Sequence, residues 1–152
     1  MAAVRTAGAD DLPAVGRLLD AFNREYDDLT PGPDALAVRV GELMASGDSV
    51  VLLAGDGPDG LALLRFRRAL WTSGLECYLA ELYVVPDERG HGLGRALMTA
   101  ALRAARERGA DTMDLGTSED DVAARRLYES LGFTNRESGG EGAVMYVYER
   151  EL

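Results

Sequence analysis

The chain is poor in the residues that several common chemistries require. Cys77 is its only cysteine, which excludes an intramolecular disulfide and argues against a cysteine-based metal cluster. His91 is its only histidine, so a metal site would have to be built from carboxylates. No apolar run reaches the roughly 18 residues that a membrane span needs. The opening residues, MAAVRTAGADDLPAV, lack the basic region and continuous apolar stretch of a secretory signal. These absences together suit a reducing, cytoplasmic protein. Excess positive charge is missing too: the net charge is −10, and no stripe of basic residues interleaved with aromatics offers a nucleic acid a surface. Arg89 and Arg95 are set apart, bracketing a glycine cluster where positive charge is concentrated.

What is present is ample for a core: 152 residues, 47% of them hydrophobic, the usual size of one domain. No repeat or long linker divides it, so residues 1–152 are taken as a single domain. Val4–Ala7 suggests a short strand. Leu12, Val15, Leu18, Leu19 and Phe22 fall on one face of a helix, with Asp10 as its N-cap and Pro13 in its first turn. Leu36, Val40, Leu43 and Met44 mark a second helix over 34–45. The period then changes. Ser49–Ala54 and Leu61–Arg67 flank the turn cluster GDGPDG as a hairpin, and Cys77–Val85 is a third apolar strand. A long helix runs from Gly94 to Gly109, a strand follows from Asp111, and a helix ends at Gly132. Ala143–Glu151 is the last strand. The order βααβββαβαβ describes an α+β fold with a mixed central sheet flanked by helices.

The stretch DERGHGLGRALM, joining the third strand of that group to the long helix, carries glycines at 90, 92 and 94. A dinucleotide fingerprint would require glycine at position 95, which is Arg95. A P-loop would require a lysine after the glycines, and none follows. What remains is Arg89-x-x-Gly92-x-Gly94 between a strand and a helix. Glycines let the backbone turn sharply and approach a ligand closely. The first helical turn presents unpaired N–H groups with partial positive charge, a site for a pyrophosphate-like dianion. Arg89 and Arg95 would add charge-assisted bonds. A tight, solvated strand–helix turn is the other reading of the same residues.

LAELYVVPDERGHGLGRALM, followed some thirty residues later by AARRLYESLGF, resembles the GNAT superfamily of acyl-CoA-dependent N-acyltransferases. The [Q/R]-x-x-G-x-[G/A] signature of that family is met by Arg89, Gly92 and Gly94. Its L-Y-E-x-x-G-F helix end is met by Leu127, Tyr128, Glu129, Gly132 and Phe133. The resemblance implies that acetyl-CoA is the co-substrate and an amine the acceptor. It implies that main-chain groups of Gly90, His91, Gly92, Leu93 and Gly94, helped by Arg89 and Arg95, hold the pyrophosphate. It further implies a bulged strand that splays from its parallel neighbour, with Tyr83, Val84 and Val85 pairing with the pantetheine arm in the gap. A homodimer through the terminal strand is an expectation at the level of the family.

Acyl transfer to an amine makes three demands. The amine, with a pKa of about 10, must lose a proton. The oxyanion must be stabilised, as a backbone N–H at the bulge could do. The departing thiolate must be protonated or held. Glu81 interrupts an apolar strand, where desolvation would raise its pKa, and is the candidate base; a strand glutamate reaching solvent is the plainer reading. Tyr128 is the candidate acid by the resemblance, or else an amphipathic side chain at the core edge. Asp121 stands where the family commonly has asparagine, so its cofactor contact is open, while Ser118-x-x-Asp121 resembles a capping box. Arg126 is a candidate for a cofactor phosphate. The ring of His91 and the thiol of Cys77 are not expected to act. Glu25, Asp27 and Asp28 could attract a cationic amine or be a solvated acidic loop. A small-molecule acceptor is favoured over a protein, and a non-catalytic acyl-CoA sensor is the alternative class.

Overall fold

The computed structural model describes residues 3–152, which divide into two compact units, 3–115 and 116–152, each described by itself. The first unit holds a five-stranded sheet in sequential order: β1 (Val4–Thr6), β2 (Ser49–Ala54), β3 (Gly60–Arg68), β4 (Leu75–Val84) and β5 (Ala110–Asp114). β1 to β4 pair antiparallel, and β5 joins β4 in parallel through the helix α3 (Leu93–Glu107). The expected element order is present up to this point. No helix among the described residues is long and apolar enough to cross a membrane.

α1 (Leu12–Glu25) and α2 (Pro33–Ala45) cover one face of the sheet. Val15, Leu18, Leu19 and Val40 from the helices meet Val51, Leu53, Leu61, Leu63 and Tyr83 from the strands. The two helices pack closely because Gly16 has no side chain: a Cβ there would lie 2.2 Å from the Pro33 carbonyl oxygen. Asp10 is not the cap of α1. It sits in a 3-10 turn over Ala9–Asp11, and the Asp11 carboxylate accepts the Gly8 N–H at 2.8 Å and a two-pronged bond from Arg5. On the opposite face, Leu93, Leu97, Met98, Ala101 and Ala105 form the buried stripe of α3. Arg108, just past its end, lies 4.8 Å from the Phe66 ring centroid, on the β3 side chains of that face.

The second unit contains α4 (Val122–Ser130) and a short turn over Glu137–Gly140. The capping box expected at Ser118 is not formed in that way. Asp121 is itself the N-cap, its Oδ1 accepting the Ala124 N–H at 3.2 Å. The predicted strand over Ala143–Glu151 is also not a strand here. Val144 makes one isolated bridge to Arg136, and beyond it Tyr146, Val147 and Tyr148 are 74%, 79% and 88% exposed. An apolar segment becomes a strand only when a ladder partner satisfies its backbone, and past that single bridge this segment has none in its own unit.

Candidate active site

The geometry begins with an irregularity in β4. Leu63 pairs with Glu81, but its neighbour Leu64 pairs with Leu79, so Ala80 is an extra residue bulging from the strand. By strict alternation Cys77, Leu79, Glu81 and Tyr83 would share one face. The bulge divides them. Cys77 and Leu79 stay opposite Phe66 and Leu64, while Glu81 and Tyr83 move to the face of Leu63 and Leu61, under α1 and α2. Glu81 is half-buried there, and burial alone pushes its carboxyl above the usual glutamate range. A carboxyl in that state is a stronger proton acceptor than an ordinary glutamate.

β4 also outruns its parallel neighbour. Pairing with β5 ends at Tyr78 and Asp114, so from Leu79 to Val84 no strand occupies that edge of β4 among the described residues. Val85 donates its N–H to the Asp59 carbonyl at 2.8 Å, which turns its main-chain groups toward β3. Antiparallel alternation then turns Tyr83 the same way and aims the amide and carbonyl of Leu82 and Val84 at the open edge. Of the three residues expected to pair with an extended ligand, Val84 alone faces the gap. Leu82 joins it, and only the ladder register reveals that.

After β4, Pro86–Glu88 form a 3-10 turn and the chain enters the glycine loop. Gly90 and Gly92 adopt left-handed φ values of 80° and 85°, conformations that L side chains resist. A Cβ at either would meet nothing within 4 Å, so the space above both is open. α3 begins at Leu93 with Gly92 as a cap that has no side chain to offer. The Ala96 N–H reaches the Gly92 carbonyl at 3.0 Å, and the amides of Leu93 and Gly94 precede that first bond. Open space over left-handed glycines at a helix start fits a pyrophosphate held by main-chain donors. His91 and Arg95 are exposed beside it, with the His91 Nδ1 3.7 Å from the Glu88 carboxylate.

Arg89 is placed differently from the sequence-based picture. Its guanidinium does not stand free over the loop. Nη2 donates to Glu25 Oε1 at 2.8 Å, Nε donates to the Val84 carbonyl at 3.0 Å, and the group lies 5.7 Å from the Tyr83 ring centroid. The Tyr83 hydroxyl donates to the same Glu25 oxygen at 3.0 Å, and Phe22 stacks on the Tyr83 ring with centroids 4.8 Å apart. The Arg89 guanidinium holds the Glu25 carboxyl below its ordinary range, while burial pushes the Tyr83 phenol up. Glu25 is separated from Tyr83 by 58 residues and from Arg89 by 64, so no local pattern could have joined them.

In the second unit Tyr128 is buried against Phe133, and burial followed by the nearby Asp121 charge raises its phenol. Arg126 is exposed on α4, while Arg125 donates to the Glu119 carbonyl at 2.8 Å. A separate groove lined by Asp48, Arg65, Glu76, Tyr78 and Asp114 lies at the other end of β4, away from the glycine loop.

A bulged, overhanging strand leading into a left-handed glycine loop and a helix start is a specific construction, and the profile of the Acetyltransferase (GNAT) family matches residues 17–133. The chain belongs to the GNAT acetyltransferase family. It is similar to the structure of a presumed acetyltransferase of Arthrobacter sp. FB24, with 45% identity, a TM-score of 0.89, and coverage of 99% of this chain and 96% of that one. A mycothiol acetyltransferase of Kineococcus radiotolerans is 37% identical over 130 residues, 84% of this chain and 40% of its own length. Another mycothiol acetyltransferase, of Thermobispora bispora, is 56% identical over 59 residues, 37% of this chain and 20% of its own. The chain therefore spans less than half the length of these curated relatives.

Proposed function

We propose that residues 1–152 form one N-acetyltransferase domain that moves an acetyl group from acetyl-CoA to a primary amine by direct attack. The observation that carries this reading is the Ala80 bulge. It delivers a desolvated carboxylate, Glu81, to a strand whose open edge leads straight to the glycine loop. A bare CoA-binding sensor has no use for such a group, and the family and the names of the relatives favour catalysis.

In this reading the co-substrate supplies an activated acetyl thioester. Main-chain donors from Gly90 to Gly94 hold its pyrophosphate, and Leu82 and Val84 pair with its extended arm. Glu81 takes the proton of the acceptor ammonium, directly or through water, and leaves a lone pair to attack. The main chain at the bulge stabilises the oxyanion. The amine nitrogen bonds to the thioester carbon to give a tetrahedral oxyanion. As this collapses the carbon–sulfur bond breaks, and Tyr128, carried over from the family motif, donates its proton to the departing thiolate. The second nitrogen proton returns through solvent to the tyrosinate. Asp121, occupied as a cap, contributes through its main chain, and Arg126 through its charge.

The acceptor is a small amine rather than a protein. The relatives are named mycothiol acetyltransferase, a name that refers to no protein acceptor, and the acidic residues after α1 favour a cation. A cytoplasmic location is part of this proposal, supported by a single cysteine that is buried and in no disulfide. A second copy of the chain is the proposed partner, supported by the exposed apolar run Val144–Tyr148. The activity is tested by thiol release from acetyl-CoA over an amine library: amine-dependent release supports it, and none across a broad panel rejects it.

A further inference from the structure

The loop between Arg89 and Leu93 has almost nothing of its own to hold it. Gly90 and Gly92 have no side chains, and His91 is exposed. The loop is therefore set by its two ends. Downstream, Leu93 is 7% exposed and pins the start of α3 into the core. Upstream the pin is Arg89, and its side chain is spent on Glu25, the Val84 carbonyl and the Tyr83 ring. Glu25 is the last residue of α1, where a carboxylate meets the negative end of the helix dipole and is unfavourable without a cation beside it. Its Oε1 receives both Arg89 and Tyr83, and Tyr83 is in turn fixed by the Phe22 stack.

We infer that Glu25 is a positioning residue for the coenzyme: by anchoring Arg89 against Tyr83 it fixes the upstream end of the glycine loop, leaving main-chain donors to face the phosphates. This rests on the acetyl-CoA reading above and adds a residue of α1 to it. It also ties the end of the helix that precedes the acidic segment to the loop that receives the coenzyme, so both sides of the reaction share one anchor.

The sign of a single substitution decides the matter. Glu25→Gln removes a negative charge close to where a dianion is to bind. If Glu25 acts only through space, the variant binds CoA more tightly. If it positions the loop, the variant binds CoA more weakly, by roughly 2- to 150-fold, the range for coupled neighbours. Isothermal titration with free CoA reads this without turnover, and hydrogen exchange at the amides of 90–94 reads loop order in the ligand-free protein. The inference expects weaker binding, faster exchange, and a Glu25→Gln effect that disappears in an Arg89→Gln background. Tyr83→Phe, which keeps the ring and removes the shared hydroxyl, weakens binding by a smaller factor. Unchanged or tighter binding in Glu25→Gln, or an equal effect with Arg89 already replaced, overturns it. A wild-type protein that binds no CoA sinks the acetyl-CoA reading and this inference together; wild-type binding with an indifferent Glu25→Gln sinks this inference alone.

Discussion

Gly92 and Gly109 offer a matched pair for separating strain from ligand contact. Both lie next to an end of α3, at φ values of 85° and 88°, and a Cβ on either would meet nothing within 4 Å. Alanine at each position therefore pays the same penalty in the free protein, about 1–2 kcal/mol for a left-handed L-residue with no added clash. For a chain of this size that lowers the melting temperature by about 2–8 °C in each variant. The two diverge only when ligand is added. The open space over Gly92 is where the account puts a pyrophosphate, so a methyl group there blocks at least one charge-assisted bond from the helix start. Such a bond is worth about 1.5–3 kcal/mol, roughly a 10- to 150-fold loss of affinity. Gly109 is at the far end of the helix, and Gly109→Ala keeps wild-type affinity. Thermal melts and calorimetric CoA titrations on both variants give the four numbers. Equal CoA affinity in Gly92→Ala and Gly109→Ala would refute the placement of the phosphate, whatever the melts show.

Other outcomes follow from the same geometry. Glu81→Gln lowers kcat/KM by roughly 100-fold, the range of a lost general base, and the loss is larger at low pH than at high pH, where more of the amine is already neutral. The same substitution stabilises the fold. The folded carboxyl keeps its proton to a higher pH than the unfolded chain does, so Glu81 costs stability increasingly as pH rises from the ordinary glutamate value through its raised one. The gain in melting temperature from Glu81→Gln is thus present at neutral pH and vanishes in acid. Tyr128→Phe slows thiol release with little change in CoA affinity, and steady-state kinetics alongside titration separates the two. Asp121→Ala costs about 1 kcal/mol by removing the α4 cap, whereas Asp121→Asn restores most of it, as thermal melts will show.

The sequence made most of the elements readable because they obey simple periods. The buried stripe of α3, Leu97–Met98–Ala101–Ala105, and the continuous apolar runs of β2 and β3 needed nothing from elsewhere in the chain. Cys77 to Tyr83 shows where period alone fails. The letters form an apolar run with one glutamate and give no sign of a break, yet Glu81 lies on the opposite face from Leu79, because an inserted residue is visible only against a partner strand. The same holds for Leu82, whose main chain faces the open edge only once Val85 is known to pair with Asp59. Arg89 was legible as a loop arginine, but its commitment to Glu25 depends on a contact made by the tertiary fold. The segment Ala143–Glu151 has a strand's alphabet and no ladder, since propensity states a preference and pairing requires a partner.

The most direct test of the central claim is a crystal structure with acetyl-CoA. The account predicts the pyrophosphate on the amides of Gly90 to Gly94, the pantetheine arm along Leu82 and Val84, and the thioester carbonyl beside Ala80 and Glu81. A coenzyme bound elsewhere, or a β4 edge closed to it by another part of the protein, would contradict the account.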